Sequence, residues 1–141
     1  MPTHSSRLKR WTLHLAAEFG HADITSDLQR LVRDSGIQTG ILTVQMIGST
    51  GGMTTIEYES GALNDLRQAL ERVAPVNEEY AHNARWGDGN GFSHVRSAIL
   101  KTSLSIPVID GNLALGTWQQ VVAINLDNRD RMRELVAVLV G

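Results

Sequence analysis

Two histidines, His82 and His94, stand twelve residues apart on either side of the run Trp86-Gly-Asp-Gly-Asn-Gly. A loop that folds back on itself would bring both imidazoles to one place, as an acid and base pair or as ligands to a metal, with Asp88 between them as a third donor. The alternative is that each ring packs against the fold or faces solvent. Gly87, Gly89 and Gly91 free the backbone to approach something closely. Successive N–H groups in such a turn form a nest for an anion, and Ser93 at the start of a following helix would add a hydroxyl and the positive end of the helix dipole. Asp88 and Asn90 offer oxygens to a divalent ion instead, although the later ligands of an EF-hand loop are missing. The run is neither a Walker A loop nor the dinucleotide fingerprint, because no Gly-Lys-Ser/Thr follows it and the strand, loop and helix context is wrong.

Further polar groups recur at strand spacing. Glu57 and Glu59, two apart, would project from one face of a strand at roughly 7 Å from each other, a spacing for a shared cation or for acid and base, or simply an acidic solvent face. In residues 118–127, Trp118, Gln120, Val122, Ile124 and Leu126 share a core-facing row, while Gln119, Val121, Ala123, Asn125 and Asp127 share the other. That second row either floors a polar pocket or meets water. His14 falls on the polar face of the first strand.

Composition narrows the chemistry. The chain has 141 residues, 42% of them hydrophobic, which suits one domain with a core of its own. It has no cysteine, so disulfides, thiolate metal sites and a cysteine nucleophile are excluded. A net charge of −2 with interspersed signs, and only seven aromatic residues (three Trp, two Tyr, two Phe), give no footprint for nucleic acid. The first residues lack the apolar core of a signal peptide, and no stretch approaches the roughly 18 apolar residues of a membrane span. The expectation is a cytoplasmic protein without membrane or nucleic-acid partners, and without an organic cofactor.

The elements that must position these groups can be read from periodicity. Trp11, Leu13 and Leu15 alternate with polar residues as in a strand; Ile24, Leu28, Leu31 and Val32 then repeat at helical spacing, with Ser26 and Gln29 placed as a capping box and Gly36 as the stop. Residues 39–46 read as a strand, 48–52 as a turn of small residues, and 53–59 as a second strand. Leu63, Leu66, Leu70 and Val73 mark a helix from Ser60 to just before Pro75, and another short helix is predicted over residues 93–101. Strands are predicted over residues 103–109, 113–117, 118–127 and 135–140, with turns at 110–112 and 128–133. Strand runs broken by two or three helices point to an α+β fold with a mixed or antiparallel sheet. The last strand is apolar on both faces, which calls either for an intersubunit contact or for a central position between helices and sheet.

Taken together, Tyr80-Ala-His82, the glycine run, Ser93-His94-Val95-Arg96, the Ser-Leu-Ser-Ile-Pro-Val segment ending near Val108 and the Leu115-Gly-Thr-Trp-Gln119 block resemble the secondary thiamine-phosphate synthase family, also called YjbQ-like. The likeness runs from the first strand to the terminal glycine. It implies an α+β half-barrel assembled as a homotrimer, with the site where subunits meet. It also implies a transferase, weakly active, that joins a hydroxymethylpyrimidine diphosphate to a thiazole phosphate and releases pyrophosphate.

For such a reaction the resemblance places phosphates at the loop (Asp88, Gly89, Asn90, Gly91, Ser93), at the Ser49-Thr50 turn, at Arg96 and at Gln119. Asp88, Glu57 or Glu59 would carry Mg²⁺, and His82 or His94 would move a proton or hold a metal such as Zn²⁺. The other readings are a metal-dependent hydrolase of a phosphorylated small molecule and a trimeric metabolite-binding protein without turnover. Two departures stand out. Relatives have His-Thr where this chain has Gly48-Ser49, although a subgroup shares Gly-Ser-Thr. Relatives also carry an acid seven positions after the Trp of the Leu-Gly-Thr-Trp-Gln block, where this chain has Asn125, an amide that cannot act as a base. Asp127, two along on the same face, is the substitute the sequence offers.

Overall fold

The computed structural model describes residues 5–141. Eight strands form two antiparallel sheets. The larger has the order β1 (Ser6–Leu15), β8 (Arg131–Val140), β3 (Gly40–Met46), β5 (Ser103–Ile109), β6 (Asn112–Leu113). The smaller has the order β2 (His21–Asp23), β7 (Gln120–Asn125), β4 (Gly51–Ile56). Four helices complete the α+β half-barrel: α1 (Thr25–Ser35), α2 (Ser60–Val73), α3 (Ala81–Trp86) and α4 (Gly91–Leu100).

The main core lies between the two sheets and α1, where Leu42, Val44, Leu135, Ala137 and Leu139 meet Leu28, Val32, Val121 and Ala123. A second cluster, Phe19, Leu63, Leu70, Val122, Ile124 and Leu126, packs α2 on the outer face of the small sheet, with Leu100 at the end of α4 beside it. Strand β7 is therefore covered on both faces, and residues 121–127 are all buried. The sequence assigns only one row of this segment to the core; two clusters on opposite faces take both. Trp118, placed in that row by alternation, precedes β7 and is 73% exposed.

The final strand behaves differently. Leu135, Ala137 and Leu139 enter the core, while Val138 and Val140 face outward beside Leu8 and Ile41, all of them exposed. The sandwiched position considered for β8 belongs to β7 instead.

Local chemistry explains the remaining differences. The capping box at Ser26 and Gln29 does not form: the Asp23 carboxylate accepts from the Thr25 backbone N–H at 3.0 Å and from its hydroxyl at 2.6 Å, so the helix begins one residue before Ser26. Gln29 reaches across to Gly111 O and Leu113 N instead. Gly36, with φ +71°, closes α1 in the left-handed conformation. The strand predicted over residues 53–59 is shifted to Gly51–Ile56, because Glu59 turns out of the sheet to cap α2 with both carboxylate oxygens. The strand predicted over 113–117 shrinks to Asn112–Leu113, and two short elements, β2 and α3, escape the periodicity altogether. Among the described residues no helix is long and apolar enough to cross a membrane.

Candidate functional site

The turn of residues 47–50 carries the chain from the large sheet to the small one, with Gly51 as the first residue of β4. A side chain at Gly51 would collide with Met46 Sδ and crowd the Arg133 guanidinium, so the crossing needs glycine there. Its exposed tip, Gly48 and Ser49, faces one side of α4 across a cavity of about 380 Å³, lined also by His94, Ser97, Lys101 and Thr102.

Helix α3 packs against α4 and brings His82 onto His94: their ring centroids are 4.3 Å apart and their planes tilted by 40°. His82 Nδ1 lies 3.5 Å from Asp88 Oδ1, within ion-pair range but without hydrogen-bond geometry, so this buried nitrogen has no hydrogen-bond partner. The histidines thus converge as the folding-back loop requires. Among the described residues, however, no three His, Cys, Asp or Glu side chains are grouped to hold a metal ion. His82, His94 and Asp88 therefore do not make a ligand set within one chain.

The glycine loop approaches its own protein. Gly87 and Gly89 take φ +71° and +70°, and a side chain at Gly91 would run into Tyr80. The Gly91 N–H donates to Asn83 Oδ1 at 2.8 Å, and the loop docks on the turn after β7: Asn128 Nδ2 donates to Asp88 O at 3.0 Å and Asn90 Nδ2 to Asp127 Oδ1 at 3.3 Å. Asn90, Gly91 and Ser93, assigned to phosphate at the sequence level, are buried, and Ser93 Oγ has no partner. Asp88 and Gly89 stay exposed. Arg96, also assigned to phosphate, is buried and committed elsewhere: its Nε donates to Ala74 O at 2.9 Å and its Nη2 to Glu71 Oε2 at 2.5 Å. The loop's glycines serve left-handed turns and close packing rather than an open nest.

Beneath the loop lies a polar network. Asp127, fully buried, accepts from Thr50 Oγ1 at 2.9 Å, from the Asn128 N–H at 2.8 Å, from Asn90 Nδ2, and from Arg131 Nε at 2.9 Å. Burial pushes its carboxyl toward the neutral form, but the hydrogen bonds from Thr50, Asn128, Asn90 and Arg131 outweigh that and hold it below the usual carboxylate range. Arg133 Nη2 donates to Thr50 Oγ1 at 2.8 Å and to Asn125 Oδ1 at 2.6 Å. Burial lowers the Arg133 pKa from its ordinary value, with Asp127 acting in the opposite sense.

Asn125 completes this network. Its amide nitrogen donates to Leu15 O, Ala16 O and Arg129 O at 3.0–3.1 Å, so the side chain ties β1, β7 and the turn before β8 together. Thr50 and Asn125, both candidates for contact with a ligand, are buried structural members.

The remaining candidates lie away from this cluster. Glu57 follows the far end of β4, about 20 Å of extended chain from Gly51, and is exposed. Glu59 is the α2 cap, its carboxyl held low by the Ala62 and Gly61 backbone N–H groups. The predicted strand pair Glu57 and Glu59 is therefore not a pair on one strand face. Gln119 closes a turn, accepting from Gly116 N and donating to Thr55 Oγ1, at the opposite end of β7 from Asn125.

Sequence reasoning missed Lys101, Asn128 and Arg131. Lys101 stands just past α4 with φ +80° and lines the cavity. Asn128 lies in the turn after β7 and Arg131 opens β8, in a charged stretch whose only signal was its composition.

Over residues 9–141 the sequence matches the family described as UPF0047 protein, YjbQ-like. A UPF0047 protein of Methanothermobacter thermautotrophicus is 40% identical over 116 residues, 82% of this chain and 80% of the relative. One from Archaeoglobus fulgidus is 30% identical over 128 residues, covering 91% and 98%. Among solved structures, a YbjQ-like protein of unknown function from Sulfolobus solfataricus superposes with a TM-score of 0.92 at 25% identity, covering 99% of both chains.

Proposed function

Because the chain belongs to the YjbQ-like UPF0047 family, we propose that it is an enzyme acting on a phosphorylated small molecule in the cavity between the Ser49 turn and α4. The observation that carries this reading is the His82 and His94 ring contact at 4.3 Å, with His94 lining a cavity that also holds Ser49 and Lys101. Lys101 supplies an ammonium group for an anionic group, Ser49 a hydroxyl, and His94 an imidazole placed to exchange a proton with a ligand in the cavity. His82 packs against the His94 ring, and the Asp88 carboxylate, 3.5 Å from His82 Nδ1, adds negative charge beside the pair.

The reaction this arrangement serves best is substitution with loss of a phosphate-type leaving group, of the thiamine-phosphate synthase kind. There the bond from the pyrimidine methylene carbon to the diphosphate oxygen breaks, the diphosphate keeps the electron pair, and the thiazole nitrogen bonds to the carbon. The protein's part is to align two anionic substrates and neutralise the departing charge. Lys101, Ser49 and the His94 imidazole are the groups at hand. Self-association belongs to the same reading: Leu8, Ile41, Val138 and Val140 make an exposed apolar face on the large sheet that a second and third copy would cover.

The test is formation of thiamine phosphate from both phosphorylated halves by purified protein, with His94→Ala alongside. Product that vanishes in the folded variant supports the reading. No product from the wild-type chain removes the thiamine-phosphate reaction, and unchanged product in the variant removes the site.

A further inference from the structure

A second cavity, of about 390 Å³, opens on the other flank of the small sheet and shares no lining residue with the first. Leu63, Asn64 and Arg67 reach it from one face of α2, as their spacing dictates. Phe19 and His21 reach it from the start of β2, and Tyr58 from the link into α2. The three aromatic rings stand edge to face, Phe19 to His21 at 6.1 Å and 71°, His21 to Tyr58 at 5.3 Å and 83°. The Tyr58 hydroxyl and His21 Nδ1 share a hydrogen bond of 2.9 Å, which fixes both rings.

The wall is held in an unusual backbone. Glu18 and Phe19 adopt φ +55° and +87°, a region bulky side chains rarely occupy. Their N–H groups are pinned to Asp127 O and Asn125 O at 2.8 Å, so the buried strand β7 and its turn impose the conformation that presents Phe19. Strain of this kind concentrates at binding sites. Arg67 lies with its guanidinium 6.0 Å from the Phe19 ring centre and, among the described residues, has no carboxylate within ion-pair distance.

An aromatic wall, an aliphatic floor, an amide and one uncompensated guanidinium define a ligand class. We propose that this cavity binds a small organic anion with an aromatic body, the carboxylate or phosphate on Arg67 and the ring against Phe19, Leu63 and Tyr58. A planar fork of donors matches either anion, and the volume falls within the roughly 300–1,000 Å³ of small-molecule sites. Nothing in the reaction proposed at His94 uses these residues.

Phenyl phosphate and benzoate, titrated into isotopically labelled protein and followed by amide chemical shifts, test the idea, with inorganic phosphate and benzyl alcohol as probes lacking one half each. The expected result is saturable shifts at Phe19, Tyr58, Leu63 and Asn64 for at least one aromatic anion. Arg67→Gln, an exposed position whose change leaves thermal unfolding intact, should weaken binding about tenfold or more. Equal binding of inorganic phosphate or of benzyl alcohol, affinity unchanged in Arg67→Gln, shifts confined to Ser49, His94 and Lys101, or no shifts at millimolar ligand would each overturn it. The His94 reading stands or falls separately, because its readout is product formation.

Discussion

The imidazoles of His82 and His94 lie 4.3 Å apart, centre to centre, one carried by α3 and the other by α4. The loop between them does not reach outward for a ligand. It folds onto the turn after β7, and that docking sets the separation of the two rings.

If His94 handles the proton, His94→Ala should keep the fold and lose about 10²–10⁴-fold in turnover. His82→Ala should lose less. Asp88→Asn removes the charge 3.5 Å from His82 Nδ1 and should lower kcat severalfold, leaving KM and the melting temperature unchanged, as fits a group that acts through its charge without touching substrate. Steady-state kinetics and thermal unfolding on the same preparations decide it; a change in KM alone would mark Asp88 as a binding group.

Asp127 is a buried carboxylate facing Arg131 and close to Arg133, so Asp127→Asn should destabilise the fold by about 3–5 kcal/mol. The sign with pH follows from its lowered folded-state pKa. The unfolded chain binds the proton at about pH 3.9, the folded chain lower. The stabilisation is therefore complete above that value and is lost as pH falls through the folded one. Denaturation at a series of pH values should show a constant gap between wild type and variant at neutral pH, closing in acid. A gap that persists to the lowest pH would assign the effect to packing.

Asn125→Asp would place a carboxylate against the carbonyl oxygens of Leu15, Ala16 and Arg129. Loss of these bonds at a fully buried site should cost about 1–3 kcal/mol or more. Chemical denaturation measures it. A neutral or stabilising result would mean that Arg133 re-pairs with the acid and that the three carbonyls find other donors.

The apolar face of the large sheet yields a prediction about assembly. Leu8→Asp combined with Val138→Asp, cross-strand partners in β1 and β8, should convert a trimer to monomer in analytical ultracentrifugation without unfolding it. A wild-type chain that already sediments as a monomer would remove the trimer from the proposed function.

Much of the architecture was legible because it is local. Alternation at Trp11, Leu13 and Leu15, helical spacing from Ile24 to Val32, Gly36 as a stop and Ser60 as the start of α2 each depend on neighbours a few residues away. The same locality made the convergence of His82 and His94 across one loop foreseeable. What misled was also local: Ser26 and Gln29 have the spacing of a capping box, but Asp23 takes the Thr25 N–H from ahead of the helix, and Gln29 is drawn away by Gly111 and Leu113, more than eighty residues on.

Which polar residues are free to act became visible only once distant segments were packed together. Arg96, Ser93, Asn90, Thr50 and Asn125 have the right chemistry for a phosphate site, and by type and spacing they do not differ from Ser49, Asp88 and Lys101. Burial separates the two groups. The first is sealed between α2, α3, α4 and the β7 turn, where an unpaired polar atom is costly and most of these side chains are consumed in hydrogen bonds to the protein itself. The YjbQ-like family and the α+β class could be read from the chain alone, since these rest on pattern and short-range spacing, whereas the meeting of the histidines was one of two readings it left open. Which groups meet the cavity depends on contacts between distant segments, and no pattern within one segment encodes them.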